Sequence, residues 1–160
     1  PNLPYLLDSK TGLKLTESRA IYRYLCRQFK VGVQSDPELA TADMVCGVIG
    51  DAMRSFTGLC YGNYPEGKDD YLKNKLPVKF KLLNEFVGDK KFVCGNEISY
   101  ADFDLYYAIF ANLKMDKEWI KNFPNLQRFY DDMGKLEGIQ RFNKSEYSKL
   151  PLNNTVAKFR

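Results

Sequence analysis

Apolar and polar positions divide this chain into a short opening and a long helical remainder. Residues 4–7 form a short apolar run, residues 9–12 supply turn formers, and residues 13–16 form a second short run. That pattern predicts a β-hairpin with a loop of several residues. A lone hairpin is marginal in water, so it needs further strands beside it. Nothing later in the chain reads as a strand, and those partners are expected outside this sequence.

From Ser18 onward the period is helical. Ile21, Leu25 and Phe29 recur every fourth residue and predict one apolar face. Gly32 and residues 35–37 break the pattern. Ser35 or Asp36 can cap the next helix, with Pro37 in its first turn, where a missing N–H costs nothing. That helix is long. Met44, Val45, Val48, Ala52, Phe56 and Leu59 keep its period up to Tyr61. Gly47, Gly50 and Gly58 are costly there, about 1 kcal/mol each relative to Ala, and point to close approach of another helix or a ligand.

A further helix is predicted over 71–87, with Pro77 as a kink or new start and Gly88 as its stop. Ser99, followed three residues later by Asp102, reads as a capping box with Asp in place of Glu. The helix it opens, to about Leu113, is apolar and aromatic nearly all round and predicts burial. Two helices follow, near 125–135 and 138–143, and then an irregular tail over 150–160. The chain thus reads as mostly α: a hairpin, a helix, a linker and an all-α bundle.

Composition narrows the chemistry. The 160 residues include no histidine, which excludes Ser-His-Asp and Cys-His catalysis and imidazole metal ligation within this chain. The net charge of +4 comes from 24 basic and 20 acidic residues, interspersed. No dense one-sided basic surface emerges, so no nucleic-acid partner is expected. No apolar run is long enough for a membrane span. Cys26, Cys46, Cys60 and Cys94 form no C-x-x-C pair and read as free thiols of a reducing compartment, which argues for a cytoplasmic protein and against a metal site. The chain opens on Pro1 rather than Met and reads as processed or as a fragment.

Several motifs, in order, resemble the glutathione transferases, the mu class most closely. They are residues 1–8 (PNLPYLLD), 17–21 (ESRAI), 59–61 (LCY), the stretch 76–88, Cys94-Gly95 with 99–103 (SYADF), 123–126 (FPNL) and 136–139 (LEGI). The resemblance spans essentially the whole chain. It implies a helical C-terminal domain of that family preceded by the ββα half of a thioredoxin-like domain. The divisions are 1–30 for the C-terminal half of the glutathione-binding domain, 31–36 for a linker and 37–160 for the all-α domain. The family's opening βαβ unit has no counterpart here. That unit carries the tyrosine that activates the thiol, so no catalytic residue is expected in this sequence.

The resemblance also implies site residues. Leu3 and Pro4, with Asn2 beside them, match the cis-proline strand whose backbone pairs with the cysteinyl part of glutathione; a trans edge-strand proline is the plain alternative. Glu17 and Ser18 match the turn that holds the γ-glutamyl end. Free N–H groups and the positive end of a helix dipole suit a carboxylate there, and the Ser18 hydroxyl can add a charge-assisted bond. Plain helix capping by Thr16 or Ser18 is the alternative. Asp51 matches an acid that reaches glutathione on the neighbouring subunit, against a solvated helix face. Arg23, like Asp51, falls where the family packs its subunits. Tyr61 matches a tyrosine bordering the electrophile pocket, against a half-buried tyrosine with a wet tip. Tyr5 is set aside as a substitute for the thiol-activating tyrosine, because the family carries an aromatic strand residue there.

The implied activity is attack by a glutathione thiolate on a hydrophobic electrophile in a cytoplasmic, detoxifying homodimer. Glutathione is then a co-substrate, and no cofactor or metal is called for. The free thiol has a pKa of about 8.5 and needs a hydrogen-bond donor to ionise at neutral pH. The rival expectation is a non-catalytic structural or docking subunit on the same fold, placed in a larger assembly.

Overall fold

A computed structural model describes residues 3–160 of the protein. Strands β1 (Tyr5–Leu7) and β2 (Lys14–Thr16) pair antiparallel, with Tyr5 opposite Thr16, Leu6 opposite Leu15 and Leu7 opposite Lys14. Asp8 shapes the loop between them. Its Oδ1 accepts the N–H groups of Lys10 and Thr11, and its Oδ2 accepts the Tyr24 hydroxyl from the following helix. Period two then sorts the strands: Leu6 and Leu15 turn inward, whereas Tyr5 and Leu7 are exposed.

Helix α1 (Ser18–Gln28) follows directly. Its predicted apolar face is only half realised. No residue of α1 is fully buried, and Phe29, placed on that face, lies beyond the helix and is 73% exposed. The chain then turns through Gly32, whose φ is +73°. A Cβ there would stand 1.7 Å from the Ile98 carbonyl oxygen, so only glycine passes this point. The next residue, Val33, donates its N–H to that same carbonyl at 2.9 Å.

Helix α2 (Asp36–Tyr61) runs unbroken to the predicted end. Ser35 takes the N-cap position, but its hydroxyl donates to Glu38 rather than capping the backbone. A short α3 (Lys68–Asp70) leads through a π-helical turn at Tyr71–Lys75 into α4 (Leu76–Val87). The helical backbone runs unbroken over 68–87, so Pro77 accompanies the π-helical turn within it rather than starting a separate helix. Helices α5 (Tyr100–Met115), α6 (Pro124–Gly134) and α7 (Glu137–Lys144) complete the bundle.

The core lies between α2, α4, α5 and α6, around Ile49, Phe80, Leu83, Leu105, Ile109, Leu126 and Phe129, each at most 2% exposed. Long-range polar bonds fix the elements around it. Asn84 on α4 caps α6 from outside, its Oδ1 accepting the N–H groups of Asn125 and Leu126 at 3.0 and 3.2 Å. Tyr71 donates its hydroxyl to buried Asn112 at 2.8 Å. The tail is irregular, as the pattern predicts, yet it is tied down. The N–H groups of Lys158 and Phe159 both point at the Cys60 carbonyl, at 2.8 and 3.2 Å, and so occupy the end of α2.

Two expectations change here. Helix α5 is not buried all round, because Phe103 and Tyr107 are each at least two-fifths exposed. The glycines of α2 divide. At Gly50 the close approach comes from α1, through the Arg19 guanidinium rather than a helix backbone, whereas Gly47 and Gly58 meet nothing within 4 Å among the described residues.

Candidate functional site

The junction of β2 with α1 has unusual local geometry. Glu17 stands between them with φ 69° and ψ 110°, a conformation that side chains other than glycine avoid. Holding it costs on the order of 1–3 kcal/mol, and such outliers gather at functional sites. Ser18 is the first helical residue and is exposed. No side chain of Glu17 caps the helix. The first bond back within α1 runs from Ile21 N–H to Glu17 O at 3.0 Å, so the N–H groups of the first turn have no partner inside the helix. Ser18 itself lies on the surface of this first turn. The arrangement suits a carboxylate.

Leu3 is 82% exposed, and the Leu3–Pro4 bond is cis. Asn2 falls outside the described residues. Strand β1 thus places Leu3 and Pro4 at one end of the hairpin, and β2 delivers Glu17 and Ser18 at the end of its own run. The register of Tyr5 opposite Thr16 brings the two pairs to the same end of the sheet.

Other expected site residues lie on the bundle. Asp51 is half-buried on α2, paired with Arg54 one turn on and with Lys79 Nζ of α4 at 3.5 Å. Arg23 pairs with Asp43 at 2.8 Å and lies over the Tyr100 ring, 5.3 Å from its centroid. The Tyr100 hydroxyl donates to the same Asp43 carboxylate at 2.6 Å. Both residues are therefore engaged inside the chain. Tyr61 ends α2 and is 38% exposed. Beside it, the Cys60 carbonyl accepts the N–H groups of the tail.

The cysteines are all free thiols. Burial pushes the Cys46 thiol up to about 11, with the Asp104 carboxylate adding to the shift. Burial likewise raises Cys26, Cys60 and Cys94. None is poised as a nucleophile. Among the described residues no group of three His, Cys, Asp or Glu side chains could hold a metal, and no helix is long and apolar enough to cross a membrane.

One feature escapes the sequence pattern. Between α5 and α7 lies an almost wholly apolar hollow of about 450 Å³, lined by Phe103, Tyr107, Phe110, Ile139 and Phe142 among others. Tyr61 is not part of its wall but stands close. Burial raises the Tyr107 phenol, and Cys60 and Tyr61 raise it further. The signal was present in the spacing of 103, 107 and 110, one face of α5, but residues read as buried core conceal a surface groove.

With this geometry in place, comparison with known proteins is decisive. The family model for the glutathione S-transferase C-terminal domain matches residues 50–146. The class-mu 26 kDa isozyme 51 of Fasciola hepatica is 34% identical over 161 residues, covering 99% of this chain and 72% of that protein. This chain belongs to the glutathione S-transferase family.

Glutathione S-transferase Mu 5 of Mus musculus is 33% identical, over 99% of this chain and 70% of its own length, which places the protein on the mu-like side of the family. Among solved structures, the Pi-class glutathione S-transferase of Onchocerca volvulus superposes with a TM-score of 0.83 at 25% identity, covering 92% of this chain and 74% of that one. A second, the glutathione S-transferase Blo t 8, superposes at 0.84 and 23% identity and speaks for the fold. The fold is the glutathione-transferase helical domain preceded by the ββα half of a thioredoxin-like domain.

Proposed function

We propose that the protein is a glutathione transferase, conjugating reduced glutathione to apolar electrophiles by thiolate attack. The observation that carries this reading is the Glu17–Ser18 turn. A non-glycine residue is held at φ 69° directly ahead of a helix whose first-turn N–H groups have no partner within the helix. The γ-glutamyl carboxylate docks on those donors and on the Ser18 hydroxyl, where the helix dipole also favours a negative charge. Glu17 faces the ligand's ammonium group. The backbone of Leu3, with Pro4 and Asn2 beside it, takes the cysteinyl part in strand fashion. Tyr61 borders the electrophile, its hydroxyl available as a donor to the reacting group. The protein works as a homodimer, in which Arg23 lies toward the subunit contact and Asp51 reaches glutathione held by the partner subunit. The step that ionises the thiol is supplied by a donor outside these residues.

Family membership and the relatives' names support this reading, and the geometry of the turn is consistent with it. Titration calorimetry with glutathione, followed by turnover with a chromogenic aryl halide, tests it. Binding with turnover supports the transferase. Binding without turnover leaves a glutathione binder. Absence of both binding and turnover overturns the proposal in favour of a structural or docking subunit.

A further inference from the structure

Helix α1 meets the bundle through side chains along one face: Tyr22 and Cys26 pack against the core, and Arg19, Tyr22 and Arg23 add polar contacts. Tyr22 places its hydroxyl 3.8 Å from Cys46 Sγ, and Arg23 reaches Asp43. Arg19 is the first of the three and the neighbour of Ser18. Its Nη2 stands 2.8 Å from Asp104 Oδ2 on α5, and the Asp104 side chain keeps only 13% of its surface exposed. The contact is off the hydrogen-bond direction, so Oδ2 has the charge beside it but no aligned donor. Arg19 reaches Asp104 by crossing α2 at Gly50, where a Cβ would stand 2.5 Å from Nη1. Burial raises the Asp104 carboxyl; Arg19 opposes that shift most, with Cys46 and Arg23 adding to it. A buried carboxylate without its cation is costly, which makes the arginine's place specific.

We propose that Arg19 is a positioning residue for glutathione: anchored by Asp104 and seated on Gly50, it fixes the first turn of α1 and thereby aims the Ser18 donors. This rests on the reading of α1 as the γ-glutamyl site. Arg19 does not touch the ligand in this scheme. It acts through its neighbour, linking the ligand-facing turn to α2 and α5 at once. The glycine in α2 is thus explained by a side chain from another element.

The test combines glutathione titration with hydrogen exchange at the Ile21 amide, the first to bond back within α1. The variants are Asp104→Asn, Gly50→Ala, Ser18→Ala and the pair Ser18→Ala with Asp104→Asn. Gly50→Ala displaces the guanidinium without removing a charge, and so carries the test if Asp104→Asn fails to fold. In each of the first two variants, Ile21 exchange is expected to quicken about tenfold while Ile109, in mid-α5, is unmoved. Glutathione affinity is expected to fall about tenfold in both, and the double variant to lose little more than its weaker parent, because the two residues act as one unit. Unchanged Ile21 exchange overturns the proposal. So do losses that multiply in the double variant, which would make Arg19 merely structural. Absence of binding by the unaltered protein would overturn the γ-glutamyl site itself, and that failure is visible before any variant is made.

Discussion

Asp102 Oδ1 accepts the Val93 N–H at 2.8 Å, joining the start of α5 to a segment nine residues earlier. Its other oxygen takes the Ser99 N–H and the Ser99 hydroxyl, each at 2.7 Å. All of this is buried. Removing the carboxyl leaves two interior N–H groups without an acceptor, at about 1–3 kcal/mol each. Asp102→Ala is therefore expected to cost about 2–5 kcal/mol in urea unfolding. Ser99→Ala removes one hydroxyl and is expected to cost about 1 kcal/mol. Neither should change glutathione affinity in protein that remains folded.

Ser18→Ala removes a hydroxyl from the surface of the first turn and leaves the fold untouched. A hydrogen bond to a charged group is worth about 1.5–3 kcal/mol, so glutathione should bind roughly ten- to a hundredfold more weakly. The thermal midpoint of the free protein should stay the same. An unchanged dissociation constant would remove Ser18 from the site.

Glu17→Gly separates stability from binding. Glycine adopts φ 69° without the steric cost that Glu17 bears. The variant should be more stable than the parent by up to about 1 kcal/mol, the strain relieved exceeding the added freedom of the unfolded chain. It should nevertheless bind glutathione less well, having lost the carboxylate that faces the ammonium group. Thermal unfolding and calorimetry on one preparation give both numbers.

The alkaline limb of stability follows from groups whose titration folding suppresses. Burial raises Cys46 from 9.0 to about 11 and raises Tyr22, Tyr71 and Tyr130 above the ordinary phenol value. A group raised on folding contributes stability that is complete below its unfolded pKa. That contribution is lost as pH climbs toward the folded value, because the unfolded chain releases its proton first. Stability should hold near neutral pH and decline from about pH 9 upward. Cys46 should react with iodoacetamide only slowly at pH 8, since the thiolate is the nucleophile. Urea midpoints across pH 7–11 and timed alkylation with peptide mapping check the two halves.

Much of this was legible in the chain. The hairpin, the unbroken α2, the irregularity at Pro77 and the Ser99–Asp102 cap are all local signals, written within one turn or one loop. The ordered motifs pointed to the family as well. What was hidden depends on contacts far apart in sequence. The pattern gave Gly50 a reason, close approach, but not Arg19 as its cause. It could not show that the tail would turn back onto Cys60, because irregular backbone has no period. Phe103 and Tyr107 were assigned to the interior by their hydrophobicity, which says that a side chain avoids water but not which surface covers it. Phe29 was placed on an apolar helix face for the same reason.

The shallow attachment of α1, with no residue fully buried, implies two levels of cooperativity among the described residues. The bundle is held by a large apolar interior, whereas α1 buries no residue fully and adheres through ion pairs and half-buried side chains. Segments with so little apolar burial open at free energies well below that of global unfolding. Among the described residues, the hairpin and α1 therefore form the more weakly held unit. A molecule bound to the first turn of α1 would add its binding free energy to that unit alone. Saturating glutathione would then bring the opening of this segment closer to that of the bundle, and ligand would act as part of the local fold.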